Sequence, residues 1–168
     1  MINWQNVETV MLDMDGTLLD LHFDNYFWLD HLPRRYGELH SMDEATAREQ
    51  LSGRFLSEIG TLNWYCLDYW SEQLQVDIVA LKEEIQHLVA IRPHVPEFLQ
   101  GLGLQGQRRL LVTNAHHDSV TLKMRNASLE ALVDEIISSH DYRLPKEDAD
   151  FWRRLQAAHP FDPARTLL

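Results

Sequence analysis

Val7, Val10, Met11 and Leu12 form a short apolar run that stops abruptly at Asp13, the pattern of a strand buried on both faces and ending at a rim. Leu110 Leu111 Val112 repeats the pattern and closes at Thr113 Asn114. A weaker run follows at Ile136 Ile137 Ser138, and another opens at Arg165 Thr166 Leu167 Leu168. Between these runs the period lengthens: Val95, Phe98, Leu99 and Leu102 sit at i, i+3, i+4 and i+7, while Trp152 and Leu155 share one face of the segment after Pro145. Strands thus alternate with helices. This order predicts an α/β fold, a parallel sheet wrapped by helices, with ligands collected at the carboxyl ends of the strands.

One stretch breaks the alternation. From about residue 21 to residue 90 no strand pattern is found, but helical patterns recur, among them Leu62 to Leu74 and Ile78 to Leu88. That length is too great for a connecting loop. It predicts an all-helical insertion over 21–90 between two parts of the core, 1–20 and 91–168, with the chain returning to the sheet near Arg92 Pro93, where proline disfavours helix in the residue before it.

Charge and composition narrow the function. Fifteen Lys and Arg against 26 Asp and Glu give 168 residues a net charge of −11, which repels phosphate backbones and argues against a nucleic-acid polymer as partner while leaving small phosphorylated ligands open. The apolar runs all fall short of the roughly 18 residues that a membrane helix needs, and the first dozen residues, with Asn3, Gln5, Asn6 and Glu8, carry no basic leader. A cytoplasmic protein with no membrane partner is expected. Cys66, the single cysteine, has no disulfide partner and is expected to pack as a small apolar side chain in a reducing compartment.

The chemistry concentrates in Asp13 Met14 Asp15 Gly16 Thr17 Leu18. Two carboxylates two residues apart at a strand end converge on one site, and Gly16 lets the backbone turn there. Turn chemistry alone accounts for Asp15 Gly16 but not for Asp13 and Thr17 in this strand context. The run resembles the first motif of the haloacid dehalogenase-like (HAD) superfamily of phosphohydrolases. Leu110 Leu111 Val112 Thr113, followed by Asn114, matches the second motif, and Lys146, between Leu144 Pro145 and Glu147 Asp148, matches the third, in the family's order.

The resemblance implies a Rossmann-like core with an inserted helical cap, and a role for each matched residue. Asp13 would attack phosphorus and carry an aspartyl-phosphate, and Asp15 would act as general acid and then base. Thr113, Asn114 and Lys146 would hold the phosphoryl oxygens. A Mg2+ ion would be held by Asp13 and Asp15, since hard oxygen ligands suit magnesium. The family's fourth motif, an acidic pair after the next strand, has no counterpart in this chain; Asp162 precedes that strand. The C-terminal part of the core is therefore expected to be missing, with weak magnesium binding and weak catalysis as the consequence.

Within the superfamily, Leu21 to Trp28 and Asn63 Trp64 Tyr65 Cys66 Leu67 Asp68 Tyr69 Trp70 resemble the bacterial GMP/IMP nucleotidase branch, as do the flanks Leu12 to Asp20 and Pro145 Lys146 Glu147 Asp148. That similarity implies a 5′-nucleotidase acting on purine monophosphates. The aromatics of the insertion, from Phe23 to Trp70, are expected to be mostly core, with a few free to stack on a purine. Asn25, Asn63, Asp68 and Glu72 are the polar candidates for reading its edge, and Asn63, Trp64 and Asp68 the substrate-contacting set. His116 and His117 are expected at the solvent or substrate rim rather than on a metal. Asp20, His22 and Asp24 are expected in a solvated hinge. The rival readings are a phosphatase or phosphomutase acting on a sugar phosphate and a catalytically silent nucleotide-binding module. A dehalogenase would leave Asp15 without a task.

Overall fold

The computed structural model describes residues 2–168. Four parallel strands form one sheet in the order β3-β2-β1-β4: β1 is Thr9–Leu12, β2 Arg108–Thr113, β3 Glu135–Ser138 and β4 Thr166–Leu167. Leu12 pairs with Leu111 and Thr113 with Ser138, so the ends of β1 and β2 lie at one edge of the sheet. All of β1 is buried, as its unbroken apolar run requires of a central strand covered on both faces.

Alternate side chains feed two apolar layers. Val10, Leu12 and Leu111 pack with Val95, Leu99 and Leu102 of helix α6 (Val95–Leu104) and with Val120 and Met124 of α7 (His117–Ala127). Met11, Leu110, Val112 and Ile137 face the other way, onto Phe151 and Leu155 of α8 (Ala149–Ala158). The chain moves outward from β1 to β2 and β3 and then returns to β1's other side as β4. Strand order therefore reverses at β1, and the crevice beyond its carboxyl end is where open α/β sheets bind ligands.

Between β1 and α6 all the regular elements, from His22 to Leu88, are helices or helical turns. Helices α1 (His22–Tyr26) and α2 (Leu32–His40) are joined by a π-helical turn, Phe27–His31. Then follow α3 (Glu44–Glu58), α4 (Leu67–Leu74) and α5 (Ile78–Glu84). The two long helical patterns break where other chemistry intervenes. Leu62–Tyr65 is a 3-10 turn, after which Cys66 caps α4. Gln86–Leu88 tightens into a second such turn after α5.

This insertion has its own core, including Phe23, Phe27, Leu51, Trp70, Leu74 and Leu81, and α7 contributes Leu122 to it. Its two ends leave and rejoin the sheet side by side. Leu19 bridges Ile91, Asp20 N–H donates to the Ala90 carbonyl at 2.9 Å, and Arg92 N–H donates to that of Leu18 at 3.0 Å. Among the described residues no helix is long and apolar enough to cross a membrane.

Candidate active site

Asp13 stands one residue beyond β1, at the reversal of strand order. Its Oδ1 accepts the Met14 N–H at 2.8 Å and meets Lys146 Nζ at 2.8 Å, while Oδ2 makes no hydrogen bond among the described residues. With 43% of the side chain exposed, that second oxygen is open to a ligand. Lys146 Nζ also donates to the Val112 carbonyl at 2.9 Å, so one ammonium spans the ends of both central strands.

Lys146 lies in the turn ahead of α8, and its place is fixed by its neighbours. Asn114 Oδ1 accepts the Lys146 N–H at 2.8 Å, and the Lys146 carbonyl accepts the Trp152 indole N–H at 2.7 Å. Asn114 Nδ2 donates to Glu147 at 3.0 Å, and the Tyr65 hydroxyl donates to the same carboxylate at 3.0 Å, tying the insertion to this turn. Burial would raise Glu147, but its own backbone N–H, followed by these two donors and the Lys146 charge, holds its carboxyl below the usual range. The Asn114 amide, expected on phosphate, is thus engaged in positioning Lys146. Thr113 is buried and its Oγ1 accepts the Ala115 N–H at 3.1 Å, which leaves the hydroxyl proton for another acceptor. Asp162 caps the turn Pro163–Arg165 through Ala164 N–H, away from any ligand role.

Asp15 follows two residues on, where Gly16 takes a φ of +77° that a residue with a Cβ adopts only under strain. Its Oδ1 accepts Lys123 Nζ at 2.7 Å; the same ammonium donates to Asp24 Oδ2 at 2.6 Å, and Asp24 Oδ1 accepts Lys82 Nζ at 3.0 Å. Two carboxylates and two ammoniums therefore alternate in a chain of no net charge, with both lysines almost wholly buried. Lys82 also lies over the Phe27 ring at 4.4 Å and the Phe23 ring at 4.7 Å.

The order of charges sets the direction of each pKa. Burial raises Asp15 above the ordinary carboxylate value, with Asp24 and Asp13 adding to the rise and Lys123 opposing it. Burial would raise Asp24 too, but two ammoniums, Lys123 foremost, hold it below. Burial pushes Lys82 down to about 8. Lys123 is buried as well, yet Asp24 and Asp15 together hold it above the ordinary lysine value. Asp24 is therefore not the solvated hinge residue its position suggested: α1 turns it inward onto two lysines that only the tertiary fold brings near. Asp20 is exposed and caps the start of that helix, accepting the His22 N–H at 2.7 Å.

Lys82 and Lys123 were not singled out by the motif pattern. Their signal lay in periodicity: Ile78, Leu81, Lys82 and Ile85 form one stripe, Val120, Lys123, Met124 and Ala127 another, so each lysine occupies an apolar position. A buried lysine calls for a carboxylate partner.

A cavity of about 360 Å³ adjoins this charged chain, bordered by Asp15, Asp24, Lys82 and Lys123. Its other lining includes the rings of Trp28, Phe55, Trp64, Tyr65 and Trp70. Edge-to-face contacts order these rings, Phe55 against Trp70 at 5.0 Å and against Trp28 at 5.5 Å. Asn25 and Trp64 line the cavity, and Asn63, Asp68 and Glu72 do not. Asn63 and Asp68 are exposed, and Asn63 donates to Glu58 at 3.2 Å on the outer face because the 3-10 turn carries it away from Trp64.

His116 caps α7, its Nδ1 accepting the Asp118 N–H at 3.4 Å, and borders the cavity; His117 is exposed, 3.2 Å from Asp141. His140 packs edge-on against the His116 ring at 5.0 Å, and burial, reinforced by His116 and His117, pushes it down to about 4.

A family model described as haloacid dehalogenase-like hydrolase matches residues 7–168. GMP/IMP nucleotidase YrfG of Escherichia coli (strain K12) is 42% identical over 166 residues, covering 99% of this chain and 75% of the relative; the same figures hold for GMP/IMP nucleotidase YrfG of Shigella flexneri. Among solved structures, a HAD phosphatase from Thermococcus onnurineus superposes with a TM-score of 0.81 at 18% identity, covering 95% of this chain and 75% of that one. L-2-haloacid dehalogenase from Xanthobacter autotrophicus reaches a TM-score of 0.60 at 19% identity, covering 95% and 68%. These two structural likenesses speak to the fold.

Proposed function

The chain belongs to the haloacid dehalogenase-like hydrolases, and from that premise we propose that it hydrolyses phosphomonoesters through an aspartyl-phosphate on Asp13, with purine 5′-monophosphates as substrates. The division of labour follows: residues 1–20 and 91–168 supply the catalytic core and 21–90 the cap that encloses the leaving group. The observation that carries the reading is the junction at β1, where Asp13 presents a free oxygen while its other oxygen is held by Lys146.

In the first step Asp13 Oδ2 bonds to phosphorus as the bond to the ester oxygen breaks, and Asp15 gives that oxygen its proton. In the second, the Asp15 carboxylate takes a proton from the attacking water, phosphate leaves, and Asp13 is regenerated. A raised Asp15 pKa suits both halves, since the group must be protonated in one and bare in the other. Lys146 and the Thr113 hydroxyl would stabilise the charge that gathers on the phosphoryl oxygens.

The carboxylate of Asp13 and the backbone carbonyl of Asp15 are oxygen donors at a solvent-accessible rim, a set that fits Mg2+, and the ion, when bound, would neutralise the phosphate dianion. A 42% identical relative named for GMP and IMP, together with an aromatic cavity beside Asp15, supports a purine nucleoside, departing through its 5′-oxygen, as the leaving group. The base would stack on rings such as Trp28 and Trp64, with Asn25 reading its edge.

Phosphate release with magnesium across nucleotides and sugar phosphates tests this. GMP and IMP are expected to lead. Dominance by sugar phosphates would remove the nucleotidase assignment and leave the phosphatase assignment standing; transfer to a second hydroxyl without free phosphate would mark a mutase.

Asn114→Ala is expected to lower kcat by about tenfold to a hundredfold, since a shift of order 1 Å in a catalytic group costs about that much. KM should change little, and the thermal midpoint should fall modestly. Steady-state kinetics beside a melting curve checks both.

A further inference from the structure

Three side chains that the hydrolytic chemistry does not use meet where the helical insertion touches the sheet. Cys66 precedes α4, His116 follows β2, and His140 lies in the 3-10 turn after β3. One ligand atom from each lies within 4.8 Å of the other two. A tetrahedral zinc ion with Zn–S near ~2.3 Å and Zn–N near ~2.0 Å sets its ligand atoms roughly 3.5 Å apart. Small side-chain rotations close that difference.

Each group is prepared for a metal. His140 Nε2 is buried and has no hydrogen-bond partner among the described residues. A buried imidazole nitrogen with no partner has its lone pair to offer when the proton sits on the other nitrogen. Cys66 Sγ sits at the amino end of α4 and accepts the Tyr69 N–H at 3.4 Å, which holds the sulfur on the side that faces the two imidazoles. His116 has a carboxylate 3.5 Å from either ring nitrogen, Asp68 by Nε2 and Asp118 by Nδ1, so once Nδ1 gives up its long 3.4 Å contact with the Asp118 N–H, one nitrogen can hold its proton against an acid while the other binds.

We propose that Cys66, His116 and His140 form a zinc site that ties the helical insertion to the sheet, separate from the oxygen-donor rim at Asp13. One thiolate with two imidazoles selects a borderline-soft ion over magnesium. Water fills the remaining position.

The test titrates Zn2+ in excess Mg2+ against a chromophoric chelator, using the whole chain and its Cys66→Ser and His140→Gln variants. Serine keeps an acceptor for the α4 cap, so the first variant should fold even if the second does not. One tight equivalent is expected for the wild type. Cys66→Ser should weaken binding by more than the roughly tenfold to hundredfold that loss of an outer-sphere partner costs. Co2+ should give a thiolate-to-metal charge-transfer band that Cys66→Ser abolishes, and Zn2+ should raise the melting temperature of the wild type alone. Equal zinc affinity in wild type and Cys66→Ser, or a cobalt spectrum without the thiolate band, overturns the site. Neither readout depends on nucleotide hydrolysis.

Discussion

Asp13→Asn is expected to lower phosphate release by about 10⁴-fold or more, the scale on which removing a nucleophile costs an enzyme. A neutral amide does not attack phosphorus, so the covalent route closes. Stability should barely move. The side chain is 43% exposed and its ion pair with Lys146 is water-accessible on the Asp13 side, so its contribution to folding is small. Nucleotide should still bind, because Lys146, Thr113 and the aromatic cavity are unchanged. Asp15→Asn separates the two carboxylates: it should cost far more with a nucleotide, whose alkoxide must be protonated, than with an aryl phosphate, whose leaving group needs little help. Turnover by Asp13→Asn at the wild-type rate would remove the aspartyl-phosphate mechanism altogether.

Much of the fold could be read from local pattern. Each strand of the sheet was marked by an apolar run, and the run ending at Asp13 also located the rim, because a strand covered on both faces leaves polar residues only where it stops. The helical insertion was visible as 70 residues without a strand pattern, and its two ends do meet side by side at Leu19 and Ile91. What was not legible depended on packing between distant segments. Asp24 reads as solvated in sequence because its partners are 58 and 99 residues away. The turn that sends Asn63 outward and Trp64 inward is set by tertiary contacts such as the Trp70 indole donating to the Trp64 carbonyl at 3.1 Å, and no short-range pattern encodes it. Asn114 was placed at the rim by its neighbour Thr113; only the fold reveals that its amide is spent on Lys146 and Glu147.

The buried chain of charges gives the second large expected effect. Lys123→Met should destabilise the protein by about 3 kcal/mol at neutral pH, the lower end of the range for breaking a buried ion pair, because Asp15 keeps some contact with water. Methionine fills similar volume, so the loss is electrostatic: Asp24 keeps Lys82, while Asp15 keeps no cation within hydrogen-bonding distance.

The pH dependence fixes the sign. Asp24 is held below its ordinary value, so its contribution is present above the unfolded carboxylate range and lost as pH falls through the folded value. Lys123 is held above its ordinary value, so its contribution is complete below the unfolded lysine range and lost as pH rises through the folded value. The gap in stability between wild type and Lys123→Met should therefore be widest between those two ranges and narrow towards acid, where the carboxylates are protonated in both proteins. Lys82, held down to about 8, releases its proton in the folded state before the unfolded chain does, which adds stability as pH rises above that value.

Activity should move with the same change. Lys123 is the cation that opposes the upward shift of Asp15, so its loss should carry both limbs of the pH–rate profile upward, by about one pH unit for each ~1.4 kcal/mol of lost attraction. The double variant Asp15→Asn with Lys123→Met removes one charge of each sign and leaves the Asp24–Lys82 pair whole. It should therefore recover part of the stability that Lys123→Met loses while remaining as impaired on nucleotides as Asp15→Asn, a non-additivity that only direct coupling between the two side chains produces. Melting curves for the four proteins of that cycle, with pH–rate profiles for the wild type and Lys123→Met, decide the matter: additive stabilities and an unmoved profile would mean that Lys123 holds the helical insertion to the core without tuning the proton carrier.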